Sequence, residues 1–229
     1  APPYFIGTAR AMSSNSTGAP ACSLRGPLAC VSSARSLSFH ALSPGGPPPV
    51  TLSVGALSPL LSLLPSSCTG DPGHAVAVAV AERELRLYDA ARGICTARAP
   101  LDGAVGAALD LCAAPAAGAA ASDSVYILCG RGKRVLEYRA GPDKLQLVRT
   151  IKCLPDPGAA AAKWGRLAVS DDGMLLAVCR GEGPGEGTVR LVDLESGKRV
   201  GKISRIGCRG LAWDDGGRLL VTEDGAVSV

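Results

Sequence analysis

One short pattern recurs along the chain and restricts its fold more than any other feature. Leu85-Arg86-Leu87-Tyr88-Asp89, followed by Gly93, is matched by Val189-Arg190-Leu191-Val192-Asp193, followed by Gly197. Both read apolar, Arg, apolar, bulky, Asp, three residues, Gly. Looser copies are Val135-Leu136-Glu137-Tyr138-Arg139 before Gly141-Pro142-Asp143, and Ser36-Leu37-Ser38-Phe39-His40 before Pro44-Gly45. The bulky slot therefore falls at Phe39, Tyr88, Tyr138 and Val192. A repeat of roughly fifty residues is the period of a supersecondary unit that must stack on its neighbours to bury a core.

A second repeated unit supports the period. Leu167-Ala168-Val169-Ser170-Asp171-Asp172-Gly173 leads into Met174-Leu175-Leu176-Ala177-Val178, and Leu211-Ala212-Trp213-Asp214-Asp215-Gly216 leads into a second apolar run, with Leu211 44 residues after Leu167. Strand, Asp-Gly turn and strand make a hairpin. The pattern predicts four strands per unit: 167–170, 175–179, 188–193 and 199–203; 107–111, 125–129, 134–138 and 145–151; 60–64, 74–80, 84–88 and 94–97. The alanine runs at 113–121 and 159–162 read as loops, because Pro115, Gly118, Pro157 and Gly158 interrupt them. Valine and alanine alternate over 75–80, so that strand has no polar face. A sheet open to water on one side alternates apolar with polar; this one is expected to be covered on both, like a blade between blades.

Composition narrows the class. The 229 residues are 47% hydrophobic but only 3% aromatic, with 19% charged and a formal net charge of +4. Aliphatic residues spread through the chain argue against full disorder. The longest apolar stretch, 52–64, is broken by Pro59 and three serines and falls short of the ~20 residues a spanning helix needs, so no membrane association is expected. The nine cysteines are odd in number, lie mostly in apolar runs and form no CxxC pair. They read as reduced core residues, and with only His40 and His74 besides, no metal site is expected. No signal peptide is legible at the start, so the sequon Asn15-Ser16-Thr17 reads as an ordinary loop. The expected compartment is intracellular, cytoplasmic or nuclear/nucleolar.

The four-stranded units closed by apolar-Arg-apolar-bulky-Asp resemble WD40 repeats, or the related YVTN-type repeats. Tyr88-Asp89 and Val192-Asp193 stand where that family has Trp-Asp. The chain departs from the family in lacking Gly-His before the first strand of each unit and Trp in the bulky slot, so the family's His–Ser/Thr–Trp network is not carried over. The resemblance implies an all-β fold, a β-propeller of four-stranded antiparallel blades. Residues 1–27 form an N-terminal segment, partly disordered or a first strand, and blades occupy 28–229. Four bulky slots and a fifth unit stopping at Val229 predict an incomplete ring of about four to five blades. A β-sandwich would not produce the 44-residue repeat.

Enzyme signatures are missing: GxSxG, HExxH, a Walker lysine loop and a strand-linked GxGxxG. The alternating glycines of 181–187 join two strands and read as a surface insertion. Asp171-Asp172 and Asp214-Asp215 read as turn residues at matching repeat positions, not as paired catalytic carboxylates. The densest basic run is Lys198, Arg199, Lys202, Arg205 and Arg209. It reads as an edge strand guarded by charge, or as a site for an acidic partner or RNA phosphate; the lack of interleaved aromatics favours the guarded edge. Asp102, Trp164, Arg166, Arg205 and Arg209 occupy links between successive units and are expected on one rim, where Trp and Arg would anchor partners; core packing of Trp164 is the alternative.

The resemblance to WD40 proteins implies a non-catalytic scaffold that binds protein partners in an intracellular complex, without a cofactor. The start of the chain resembles WD-repeat subunits of ribosome-biogenesis complexes. The alternatives are a propeller enzyme of lactonase or quinoprotein type, poorly served by two histidines and one asparagine, and an RNA-contacting propeller using the basic run.

Overall fold

In the computed structural model, Val76 to Ala81 are all buried, the branched valines and the small alanines alike. The structure describes residues 21–25, 28–33, 35–42, 44–46, 48–54, 57, 60–64, 76–81, 83–101, 108–114, 123–129, 134–153, 164–181, 188–203, 208–214, 216–223 and 226–228. These form strands and turns, and no helix long and apolar enough to cross a membrane is present among them. The chain divides into two units: Ala1–Leu101 with Arg139–Gln146, and Asp102–Tyr138 with Leu147–Val229.

The first unit holds two four-stranded antiparallel sheets. β1 (Ala21–Arg25), β2 (Leu28–Ser32), β3 (Ser36–Ala41) and β4 (Val50–Ser53) lie in that order, as do β5 (Leu61–Leu63), β6 (Val76–Ala81), β7 (Glu84–Asp89) and β8 (Ile94–Pro100). Phe39 and Tyr88, two of the bulky slots, share one buried cluster with Cys30, Leu37, Leu61 and Leu63. The backbone N–H of Leu63 donates to the buried Ser23 Oγ at 3.0 Å, tying β5 to β1. The first sheet thus includes Ala21–Arg25, within the N-terminal segment 1–27 that the sequence left as partly disordered or a first strand.

The second unit holds β9 (Ala108–Ala113), β10 (Ser124–Cys129), β11 (Arg134–Gly141) and β12 (Lys144–Lys152), whose hairpin tip belongs to the first unit. Next come β13 (Trp164–Val169), β14 (Leu175–Gly181), β15 (Thr188–Asp193) and β16 (Arg199–Ile203). Last among the described residues is a three-stranded sheet, β17 (Gly210–Trp213), β18 (Leu219–Glu223) and β19 (Ala226–Ser228). β14 explains why such strands carry no polar face. Its Leu176 and Val178 pack with Tyr126, Leu128 and Ile151 of the preceding sheet, while the alternate Ala177 and Cys179 pack with Val221 of the following one. Period-two alternation sends successive side chains to opposite faces, and here each face meets another sheet.

Side-chain oxygens also join the first strands of neighbouring sheets. Asp110 on β9, buried, accepts the N–H of Leu167 on β13 at 2.7 Å, as Ser23 does for Leu63. Glu137, likewise buried, accepts Ser124 Oγ at 3.1 Å and Arg149 Nε at 2.5 Å, and the same guanidinium donates to the carbonyls of Leu194 and Glu195. A buried carboxylate is retained only where such donors meet it, since an unpaired one carries a large desolvation cost.

Candidate functional site

The repeated Asp and Gly do their work in the turns. Asp89 Oδ1 accepts the N–H of Arg92 at 2.9 Å, and Asp193 Oδ1 accepts that of Ser196 at 2.7 Å. Gly93 and Gly197 both sit at φ 67°, donating to the carbonyls of Asp89 and Asp193. Only a residue without Cβ adopts that backbone cheaply, which accounts for the fixed Asp-to-Gly spacing. Asp171, Asp172 and Asp214 of the acidic pairs are turn residues as well, but one position out of register, and Asp215 lies outside the described residues. Gly173 and Gly217, each at φ 73°, are the equivalent residues, donating to the carbonyls of Ser170 and Asp214. Asp172 accepts Ser170 Oγ at 2.6 Å and the N–H of Met174 at 2.9 Å; Asp214 accepts the N–H groups of Gly216 and Arg218 and the Arg218 Nε.

These bonds hold the carboxyls of Asp172, Asp193 and Asp214 below the ordinary carboxylate range. The leading cause is the Ser170 hydroxyl for Asp172, the Ser196 hydroxyl for Asp193 and the Arg218 backbone N–H for Asp214. A lowered folded-state pKa favours the fold above the unfolded value of about 3.9, and the benefit disappears as pH falls through the folded value. Carboxyl NMR titration should place all three below about 3.9, and Ser170→Ala should move Asp172 alone back towards it. An unmoved Asp172 would show that Ser170 does not hold it.

The sequence places Trp164 and Arg166 in a rim loop; the structure places them in β13. Trp164 is only 6% exposed, packed with Ala177, Cys179, Val189, Cys208 and Val221. That degree of burial leaves no surface for a partner, so the rim expectation is corrected to core packing. Arg166 stacks on the Trp164 ring, 5.2 Å from its centroid, and donates to the carbonyls of Arg209 and Gly165 at 3.1 and 2.9 Å. Arg209 is half-buried and its N–H bonds the Thr222 carbonyl. Trp164, Arg166 and Arg209 therefore form one internal junction between β13 and the approach to β17. Asp102 and Arg205 lie outside the described residues, as do 182–187 of the glycine insertion.

The basic run is thereby divided. Lys198, Arg199 and Lys202 stand apart from that junction, exposed on or beside β16. β16 ends the sheet order, so among the described residues no strand pairs with its outer side. Beside these cations, Val200 is 60% and Ile203 39% exposed, a pair that charge-based reading passed over. Among the described residues no carboxylate forms an ion pair with Lys198, Arg199 or Lys202.

Cys30, Cys129, Cys153, Cys179 and Cys208 are buried and Cys95 and Cys112 half-buried, all as reduced thiols. Burial pushes the Cys129 thiol up to about 11, and Cys179 is raised by its hydrogen bond with Cys208 and by burial. Such thiols carry little thiolate and serve as small core residues. Among the described residues no group of three or more His, Cys, Asp or Glu is placed to hold a metal ion.

Neither a scan against protein-family models nor a search of curated proteins finds a match. Solved structures do match. The β-propeller domain of Myceliophteria thermophila Cps50 (Swd1) aligns with TM-score 0.58 at 11% identity, over 95% of this chain and 66% of that one. The fold is a β-propeller. A Bacteroides fragilis protein assigned as a 6-phosphogluconolactonase aligns with TM-score 0.60 at 13% identity, over 88% and 62% of the two chains. Kuenenia stuttgartiensis hydrazine synthase aligns with TM-score 0.59 at 15% identity, over 86% and 52%. The chain thus spans between half and two thirds of the length of these propeller chains, and its four-stranded antiparallel sheets are blades.

Proposed function

We propose that this chain is a non-catalytic, WD40-like interaction module that holds protein partners in an intracellular complex. The observation that carries this reading is where six of the described carboxylates go. Asp89, Asp193, Asp172 and Asp214 bond the N–H groups of their own turns, and Asp110 and Glu137 bond neighbouring strands. General acid–base chemistry needs a carboxyl able to exchange a proton with substrate, and these are committed to the fold. The WD40 kinship rests on the matched turns after Tyr88-Asp89 and Val192-Asp193, with glycines at the same φ.

Two other readings have specific support. The Bacteroides fragilis neighbour supports a lactonase-type propeller, and the exposed cations beside β16 support RNA contact. The discriminating experiment purifies the full-length protein from cells under native conditions, with and without nuclease, and identifies bound subunits by mass spectrometry. Stoichiometric, nuclease-resistant protein subunits are expected, together with 6-phosphogluconolactone hydrolysis no faster than buffer. Turnover abolished by a single carboxylate substitution, or partners lost entirely to nuclease, would replace this reading with one of the others.

A further inference from the structure

We propose that the outer edge of β16 takes an extended peptide with alternating acidic and apolar residues, added as a further strand. The inference deepens the interaction reading above and rests on it. Register determines the chemistry of the edge. Arg199 pairs with Val192 and Lys202 with Arg190, whereas Gly201 pairs with Leu191 and Ile203 with Val189. Cross-strand partners share a face. Val192 packs towards the β9–β12 sheet and Val189 and Leu191 towards the β17–β19 sheet. Arg199 and Lys202 therefore lie on one face of the blade edge, and Gly201 and Ile203 on the other.

The second face is apolar. The Leu191 side chain packs closely against Gly201, with its Cδ1 3.2 Å from where a Cβ would stand. Ile203 stands beside it, 39% exposed. A strand laid against β16 would meet two cations on one side and an aliphatic surface on the other, so its own residues must alternate acidic and apolar. The edge carries the devices that keep like edges apart: it is short, basic and bulged between Arg199 and Gly201. Positive charge repels a second basic edge but attracts an acidic one, so the same side chains that prevent self-pairing select the partner. RNA would find the phosphate-neutralising charge here, but Val200 and Ile203 offer no aromatic face for a base.

The test is fluorescence anisotropy on the full chain, using a labelled peptide of alternating Glu and Val. The comparison probes are a block peptide of the same composition, the alternating peptide N-methylated along one edge, and single-stranded oligouridylate. The alternating peptide should bind, with N-methylation and the double charge reversal Arg199→Glu with Lys202→Glu each weakening it at least about tenfold. Both substitutions are at exposed positions, and an unchanged thermal midpoint would confirm that the variant is folded. Equal binding of block and N-methylated peptides would mean charge attraction without strand addition, and would overturn the proposal. So would oligouridylate binding in place of the peptide. Absence of peptide binding, while the native protein still co-purifies with stoichiometric subunits, would reject the β16 site and leave the interaction reading standing.

Discussion

Trp164→Ala should lower the unfolding free energy by about 3–5 kcal/mol, a large part of the roughly 5–15 kcal/mol that stabilises an ordinary domain. The ring is 6% exposed, and it fills the space between Ala177, Cys179 and Val189 of its own sheet and Cys208 and Val221 next to the following one. Removing it leaves a cavity whose walls belong to two sheets. It also removes the platform on which Arg166 stacks, and so loosens the guanidinium that bonds the Arg209 carbonyl. Urea unfolding should show the midpoint falling sharply, with Trp164→Phe recovering much of it. Partner binding per folded molecule should be unchanged. A variant as stable as the parent, but unable to capture partners, would return Trp164 to the surface role that its sequence position suggests.

Gly165→Ala should cost about 1–3 kcal/mol by overpacking, although alanine is a mild change almost anywhere else. A Cβ there would lie 2.3 Å from Leu128 Cδ2 and 3.1 Å from the Cys179 carbonyl oxygen. Leu128 is fully buried, so shifting its side chain disturbs the packing around it, and the carbonyl is part of the β13–β14 pairing. Either Leu128 shifts or the strands separate, and both strain the packing around β13. The cost should couple to Leu128: in the Gly165→Ala background, Leu128→Ala should be less damaging than in the parent, by more than about 0.5 kcal/mol. Additive losses in a thermal or urea double-mutant cycle would show that the two residues do not meet.

Much of the blade pattern was legible. The strands expected at 175–179, 188–193 and 199–203 are β14, β15 and β16 to within two residues, because short runs between Asp-Gly turns leave little freedom of register. Strand 167–170 was read short. β13 begins at Trp164, where a strand residue and a loop aromatic look alike until the neighbouring sheet is known. Asp171, Asp172 and Asp214 were recognised as turn residues, yet the registers of the two turns differ by one, since Ser170 and Asp214 are interchangeable as acceptors at the head of the turn.

The candidate surface was legible only as charge. Lys198, Arg199, Lys202 and Arg209 are a single basic run in the sequence, but the first three are exposed while Arg209 is half-buried, its backbone carbonyl bonded by Arg166. The exposed Val200 and Ile203 gave no signal, because an apolar residue on a final strand reads the same whether or not another sheet covers it.

The sequence by itself determined the strands, their turns and the recurrence of both. These depend on hydrogen bonds closed within four or five residues, such as Asp193 to Ser196 and Gly197, and on glycines that accept positive φ. Only the tertiary structure decided which residues face water. Trp164 is closed over by Cys208 and Val221, 44 and 57 positions further along the chain. Burial is set by what packs opposite, and residues brought together across 40 or more positions leave no local pattern by which to recognise one another.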